Sequence, residues 1–242
     1  MNSQTQQALR FAVFLDEGQV TSWQAECISL LVNSGLCHLE LIITLIPARR
    51  QSLLFRGYRV LRHGPWFAFA ATFGRSRANK KVTRNPFSVS HLTIRVPGAK
   101  DVSPIAIPEF SSIRERGLDF ILNFGPSISG ISTVNLAHRG VWTFRFGDSA
   151  RSDEYPPVFL EMLQRQPVTC VALEQDAHDD TKPGTVLRRG FFPVTPHSYA
   201  RSLDVALSGS VDFPLLACQD LLANAGRAAT ALEGRAIREE RG

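Results

Sequence analysis

The chain has 242 residues, of which 44% are hydrophobic and 20% charged, so it is long enough to bury one sizeable core. The first eight residues lack an apolar signal core, and no apolar run approaches the roughly 20 residues of a membrane span, which predicts a soluble cytoplasmic protein. The 4 cysteines and 6 histidines are scattered without zinc-site spacing, which argues against a metal site.

The net charge of +5 is unevenly distributed. Leu41 to Lys100 contains 12 basic residues and no acidic residue, while the rest of the chain has 15 basic and 22 acidic residues. We call residues 49–100 the basic segment. It either contacts an anionic partner, such as a nucleic acid, a lipid head group or a sugar phosphate, or it docks on the acidic remainder of the chain. No RNA-binding motif favours nucleic acid.

The N-terminal pattern predicts a β-α-β unit. Leu9 to Leu15 is an apolar run of strand length, and Thr21 or Ser22 can cap the helix that follows. Asn33 to Gly35 ends this helix, and Leu39 to Ile46 is a second apolar strand. Two strands joined by a helix are expected to be parallel and adjacent.

The middle of the chain alternates in the same way. Gln51 to Leu61 has helical spacing, Leu92 to Val96 is a third strand, and Pro108 to Arg116 is a short helix. Leu118 to Asn123 is a strand that ends in a polar residue and leads into a loop rich in glycine, proline and serine. Residues 64–82 fit no single pattern.

From Arg139 to Phe192 the sequence pattern predicts a strand, a polar loop, two prolines, a short helix, a second strand, an acidic loop and a third strand. A helical turn at Val134 to Ala137 precedes a strand at Val141 to Phe146, and Thr185 to Phe192 forms the last strand before a helical region from Pro196 onward. We therefore predict an α/β domain over residues 1–195, with a basic insertion at about 49–90. Residues 196–242 are predicted to form a helical extension.

Alternating strands and helices indicate a Rossmann-like, mostly parallel sheet with helices on both faces. Ligands of such folds bind at the carboxyl ends of the strands. The loops after Leu15, Asn123 and Phe146 are therefore the places to search for a site.

Five segments, in this order, carry a resemblance to a known family: RFAVFLDEGQVTSWQAECISLLVNSGLCHLELIIT, LDFILNFGPSISG, GVWTFRFGD, YPPVFLEMLQRQPVTCVAL and GTVLRRGFF. They resemble the formyltransferase superfamily, whose fold is shared by the N-terminal domain of methionyl-tRNA formyltransferase. The resemblance is strongest to bacterial formyltransferase-like proteins that are related to the N-terminal domain of glucosamine inositolphosphorylceramide transferase. The tRNA-type C-terminal barrel has no counterpart here, which argues against a tRNA substrate.

The resemblance implies transfer of a formyl group from 10-formyltetrahydrofolate to an amine, with an Asn, a His and an Asp as the catalytic groups. The Asn position falls on Thr143 and the His position on Arg145, which can stabilise an oxyanion but cannot exchange protons near neutral pH. The Asp position falls on Lys182, or on Asp180 if the loop is locally longer. We predict Thr143, Arg145 and Asp180 as the catalytic residues.

Four further residues are predicted to bind the donor, namely Phe124, Gly125, Asp179 and Lys182. Three of them also have a simpler interpretation: Phe124 and Gly125 form a turn that needs glycine, and Asp179 belongs to a solvated acidic loop. Glu154 is a further candidate to bind an amine, or again a solvated acid.

Two functions are compatible with these residues. The first is an enzyme that transfers a formyl or related one-carbon group to the amine of a small acceptor, which is sugar- or lipid-linked and can be anionic. The second is a catalytically silent relative that acts as a binding or accessory module, because the His and the Asp are not at their expected positions.

Overall fold

A computed structural model describes residues 8–16, 18–47, 76–82, 87–96, 109–125, 136–147, 156–176 and 184–224. Its centre is one sheet of 7 strands in the order β3-β2-β1-β4-β5-β6-β7. The strands are β1 (Leu9–Asp16), β2 (Cys37–Pro47), β3 (Ser90–Val96), β4 (Phe120–Asn123), β5 (Val141–Phe146), β6 (Val168–Gln175) and β7 (Thr185–Pro193).

The sheet is parallel from β3 to β5 and antiparallel beyond. The pairs β2–β3, β1–β2, β1–β4 and β4–β5 are parallel, whereas β5–β6 and β6–β7 are antiparallel. The predicted β-α-β unit and the mostly parallel sheet are therefore confirmed, and the antiparallel edge is the part of the topology that sequence patterning did not specify.

The helices in the described parts of the chain are α1 (Ser22–Asn33), α2 (Glu109–Arg114), α3 (Phe159–Leu163), α4 (Tyr199–Ser208) and α5 (213–224). Helix α1 begins with a capping box, in which the Thr21 hydroxyl accepts from the Gln24 backbone N–H and the Gln24 side chain accepts from the Thr21 N–H. The predicted cap at Thr21 is thus confirmed. The predicted helix at Gln51 to Leu61 lies outside the described residues.

Alternate residues of the central strands supply two cores, one on each face of the sheet. Phe11 of β1 stacks on Phe120 of β4, and Phe120 stacks on Trp142 of β5 with ring centroids 4.1 Å apart. These rings lie on the face that α1, α3, α4 and α5 cover, which we call the α1 face. The residues between them, such as Ala12, lie on the opposite face with α2, which we call the α2 face.

The C-terminal helices pack on the α1 face. Leu203, Phe213 and Ala217 are buried in its core, and the Ser198 hydroxyl caps α4 by accepting from the Arg201 N–H. Residues Tyr199–Asn224 are long and apolar enough to cross a membrane by length and composition, which is weak evidence because buried core helices pass the same test. The predicted division of the chain at residue 195 stays a prediction.

Candidate functional site

The direction of chain progression reverses at β1. From β1 the sheet extends to β2 and β3 on one side and to β4 and β5 on the other, so the crevice between β1 and β4 is the topological switch point. Phe14 of β1 pairs with Asn123 of β4, and Asn123 pairs with Thr143 of β5. The carboxyl ends of β4 and β5 therefore lie next to each other, as the sequence predicts for a site.

The N-terminus of α1 borders this crevice and is closed by the chain itself. The Ser22 N–H donates to the Lys80 carbonyl and the Trp23 N–H donates to the Ala78 carbonyl, both at 2.8 Å. Free N–H groups at a helix N-terminus attract anions. Here residues 76–82, part of the basic segment, take the place that an anion would occupy.

Residues 76–82 are anchored on α4 by one carboxylate. Asp204 Oδ1 accepts from the Ser76 hydroxyl at 2.7 Å and from the Ala78 N–H at 2.9 Å. Burial acts to raise the pKa of Asp204, but the hydrogen bonds and the charge of Arg77 hold that pKa below its usual value. This described part of the basic segment docks on an acid of the same chain, and most of the remainder lies outside the described residues.

The turn after β4 is tightly packed. The buried Asn123 side chain accepts from the Gly125 N–H at 2.9 Å, and a Cβ on Gly125 would lie 3.2 Å from the Leu45 side chain. The Phe124 ring packs edge-on against Trp23, whose buried indole N–H finds no hydrogen-bond acceptor among the described residues. These contacts explain the local sequence, and donor binding by Phe124 and Gly125 stays a prediction.

Thr143 is held by a carboxylate. The residue is 8% exposed, and its hydroxyl donates to Asp176 Oδ2 at 3.2 Å. Asp176 directly follows β6, and its own N–H donates to the Val141 carbonyl at 2.8 Å, which fixes the position of the residue beside β5. Thr143 is thus oriented by an acid that is 33 residues away in sequence.

Arg145 has an acidic neighbour on β6. Its Nε lies 3.8 Å from Glu174 Oε2, and the two side chains are 23% and 17% exposed. Thr143 and Arg145 are two positions apart on β5 and therefore lie on the same face of the sheet, the α2 face. The structure brings these two predicted residues together, each beside a carboxylate.

The other predicted site residues Asp179, Asp180, Lys182 and Glu154 lie outside the described residues. Sequence analysis missed Asp176 and Glu174 as site residues. Glu174 interrupts the apolar alternation of β6 at a position that faces the same side as Cys170 and Ala172, and this irregularity is the signal that could have identified it.

A pocket of about 410 Å³ opens beside Arg145, at the carboxyl end of β5. Strands β5, β6 and β7 supply most of its wall, and α3 supplies one acidic side chain. The residues that line it are Arg145, Gly147, Glu161, Gln166, Val168, Thr169, Cys170, Ala172, Glu174, Arg189 and Phe191. We call this space the β5–β7 pocket.

Glu161 of α3 is the most buried acid of the β5–β7 pocket. The residue is 6% exposed, and its Oε1 accepts from the Thr169 hydroxyl at 2.9 Å. Gly147 makes room for it, because a Cβ at that position would lie 2.5 Å from Glu161 Oε1. Gly147 also has φ of +79°, a conformation that glycine adopts without strain.

Cys170 lies in the wall of the same pocket. Burial raises the pKa of its thiol; the charge of Arg189 opposes that rise, and those of Glu161 and Glu174 add to it. The thiol therefore experiences three of the four charges that line the pocket. The described residues include no cluster of His, Cys, Asp and Glu suited to a metal ion.

No protein-family model matches the sequence, and no curated protein matches it either. Several solved structures, in contrast, match its fold. Glycinamide ribonucleotide transformylase 1 from Symbiobacterium toebii is 11% identical, with a TM-score of 0.52 over 91% of this chain and 90% of the other. Phosphoribosylglycinamide formyltransferase from Bacillus halodurans is 13% identical, with a TM-score of 0.52 over 89% of this chain and 96% of the other.

Formyltetrahydrofolate deformylase from Burkholderia mallei is 9% identical, with a TM-score of 0.53; the match covers 90% of this chain and 66% of that protein. At such low identities these likenesses concern the fold. The predicted fold class, a Rossmann-like α/β sheet of the formyltransferase type, is therefore confirmed.

Proposed function

We propose that this chain is a divergent member of the formyltransferase superfamily, and that it transfers a formyl group from a 10-formyltetrahydrofolate donor to the amine of a small, sugar- or lipid-linked acceptor. Its fold is that of solved glycinamide ribonucleotide transformylases. The observation that carries the proposal is the position of Thr143 and Arg145 on one face at the carboxyl end of β5, each beside a carboxylate.

The β5–β7 pocket suits a reaction between small molecules. Its volume of about 410 Å³ falls within the roughly 300–1,000 Å³ of small-molecule sites. The donor supplies an activated formyl carbon bonded to a nitrogen that can leave. The chain must therefore bind the carbonyl oxygen where negative charge develops, and it must move one proton.

Arg145 is suited to the first task. A guanidinium keeps its charge at all physiological pH values and offers several N–H donors, so it stabilises an oxyanion without exchanging a proton. Glu174 holds it from the neighbouring strand. This arrangement replaces the role that the family assigns to histidine with a purely electrostatic one.

Because Arg145 cannot exchange protons, a carboxylate must move the proton. Glu174 is engaged with Arg145, so Glu161 is the better candidate among the acids that line the pocket. In this proposal Glu161 takes the proton that the attacking amine loses and returns it to the nitrogen that leaves the formyl carbon. Asp176 and Thr143 do not line the pocket; their hydrogen bond supports β5.

The test is product formation by the full chain with 10-formyltetrahydrofolate and a panel of primary amines. Mass spectrometry detects the formylated amine. Arg145→Gln and Glu161→Gln are each expected to lower the rate about 100-fold or more, the usual cost of losing one such group. Arg201→Gln, a change at an exposed arginine of α4, serves as the matched control and is expected to have no effect.

Binding is measured separately, by isothermal titration with a stable analogue of the donor. If the analogue does not bind at high concentration, the folate-dependent proposal is wrong. If product forms at the same rate with Arg145→Gln as with the unchanged chain, the assigned role of Arg145 is wrong.

A second candidate function is a catalytically silent binding module. It is favoured by the ion pair between Arg145 and Glu174, which neutralises the group expected to act on the donor. It predicts that the donor analogue binds but that no amine is formylated.

A further inference from the structure

The charges of the β5–β7 pocket do not all pair within the chain. Four charged residues line it, and Arg145 is matched by Glu174. In the described part of the chain, the remaining two, Glu161 and Arg189, make no ion pair. One negative and one positive group are therefore left facing the same space.

Glu161 is the more informative of the two. It is 6% exposed, and among the described residues its side chain accepts a single hydrogen bond, from the Thr169 hydroxyl. A buried carboxylate that lacks a cation loses solvation without compensation. Its carboxylate lines the pocket, so the missing cation can come from a ligand.

Arg189 lines the pocket from β7. It pairs with Ala172 of β6 and shares its face with Phe191, which lies two positions along the strand. Phe191 is 69% exposed and Val168 43% exposed, so the rim beside Arg189 is apolar. An anionic group at Arg189 can therefore be joined to a carbon chain that covers this rim.

The N-terminus of α1, which borders the crevice between β1 and β4, offers an anion no comparable place. The backbone N–H groups of Ser22 and Trp23 already donate to the carbonyls of Lys80 and Ala78. In the β5–β7 pocket, by contrast, Arg189 is an exposed cation that makes no ion pair with the described residues.

From this arrangement we propose that the β5–β7 pocket binds a small zwitterion, whose primary ammonium pairs with Glu161 and whose carboxylate or phosphate pairs with Arg189. The binding site stands on its own geometry, and the identification of the zwitterion as the acceptor rests on the proposed function. An amine must lose a proton before it attacks, and the carboxylate that binds it is also a proton acceptor.

Cys170 provides a direct readout of occupancy. It lies in the pocket wall and is half-buried, whereas Cys27, Cys37 and Cys218 are buried. Alkylation by iodoacetamide, followed as the mass of the peptide that contains Cys170, should slow when a ligand fills the pocket. The assay needs no folate and uses the unchanged chain.

The probes form a matched set: 4-aminobutyrate and glycine carry both charges, O-phosphoethanolamine replaces the carboxylate by a phosphate, and butylamine and butyrate carry one charge each. The two-charge probes are expected to protect Cys170 at concentrations at least about tenfold lower than the single-charge probes, since each charged contact adds that much affinity. The carboxylate and phosphate probes show which anion the pocket prefers.

Two variants assign the contacts. Glu161→Gln should raise the half-protecting concentration of 4-aminobutyrate and butylamine about tenfold, while Arg189→Gln should raise that of 4-aminobutyrate and leave butylamine unchanged. Glutamine can still accept from Thr169, and circular dichroism with a thermal midpoint checks the fold. Glu115→Gln and Arg201→Gln, at exposed positions outside the pocket, are the controls.

Equal protection by all probes, or protection that Glu161→Gln leaves unchanged, would overturn the zwitterion site. Protection by zwitterions without formylation of any of them keeps the site and counts against the proposed function. Formylation of simple amines with no preference for zwitterions supports the proposed function and counts against the zwitterion site.

Discussion

The N-terminus of α1 and the β5–β7 pocket treat polar groups in opposite ways. At the N-terminus of α1, the N–H groups that lack an intrahelical acceptor donate to carbonyls from residues 76–82, and Asp204 holds that segment in place. In the β5–β7 pocket, Glu161 and Arg189 keep their charges without a described partner. Backbone carbonyls of the chain satisfy the N–H groups at the N-terminus of α1. Glu161 and Arg189 have no such partner among the described residues, and this difference supports the proposal that a ligand pairs with them.

The sheet itself explains the difference. Around β1 the strands are parallel and covered on both faces, so little space is left for a ligand. At β6 and β7 the strands are antiparallel, and Val168, Val186 and Phe191 remain exposed. An antiparallel edge with one open face leaves room for a pocket, and charged side chains can project into it.

Filling the space beside Glu161 should disturb the pocket most. Gly147→Ala introduces a Cβ 2.5 Å from Glu161 Oε1 at φ of +79°. We expect a loss of about 3 kcal/mol in the free energy of unfolding, from backbone strain and displacement of the buried carboxylate together. Urea denaturation measures it.

Gly35→Ala is the matched control. Gly35 has φ of +71° but no atom within 4 Å of an added Cβ, so only the backbone strain of about 1 kcal/mol is expected. The difference between the two variants isolates the cost of displacing Glu161. Equal losses would mean that the carboxylate moves freely and is not held in the pocket.

Releasing residues 76–82 from the N-terminus of α1 should have the next largest effect. Asp204→Ala removes the acceptor for Ser76 and Ala78 and is expected to cost about 2 kcal/mol, as for hydrogen bonds to a charged group. Asp204→Asn keeps an acceptor oxygen and should cost less. Amide hydrogen exchange at Ser22 and Trp23 should become faster in the alanine variant; unchanged protection there would show that residues 76–82 stay docked without Asp204.

Sequence patterning predicted the scaffold well, because burial imposes periodicity on each element separately. The apolar run at Leu9 to Leu15 became β1, and the Thr21 cap became the start of α1. Asp176 escaped notice because its meeting with Thr143 joins residues from two strands, and no local pattern encodes that contact. From the sequence we predicted the catalytic acid four residues further along, at Asp180.

The charge pattern was informative but ambiguous for a similar reason. The basic segment predicted either an anionic partner or docking on the chain, and Asp204, the acid that receives residues 76–82, lies more than 120 residues further along. Glu161 was visible only as part of a Pro-Pro-x-x-x-glutamate motif. Its burial follows from contacts with Gly147 and Thr169, which lie outside the motif.

Low pH should reduce the stabilisation that Asp204 gives by holding residues 76–82. Because its pKa is lowered in the folded chain, its contribution to stability is complete above its unfolded pKa, whose ordinary value is 3.8, and is lost as pH falls through the folded pKa. The difference in unfolding free energy between the unchanged chain and Asp204→Asn should therefore shrink in that acid range. A difference that stays constant with pH would mean that the charge of Asp204 does not hold the segment.

The smallest expected effect is a change in the pKa of Cys170 in the β5–β7 pocket. Burial raises the pKa of the Cys170 thiol, Arg189 opposes the rise, and Glu161 adds to it. Alkylation of Cys170 followed against pH should therefore show a lower pKa in Glu161→Gln and a higher one in Arg189→Gln, with Arg201→Gln unchanged. If a cation of the chain neutralised Glu161, removing the carboxylate would expose that cation, and the pKa would fall well beyond what the loss of one distant charge produces. Two unpaired charges of opposite sign that both act on Cys170 require shifts that are small and opposite in sign. No shift in Glu161→Gln would mean that the carboxylate does not act on the thiol.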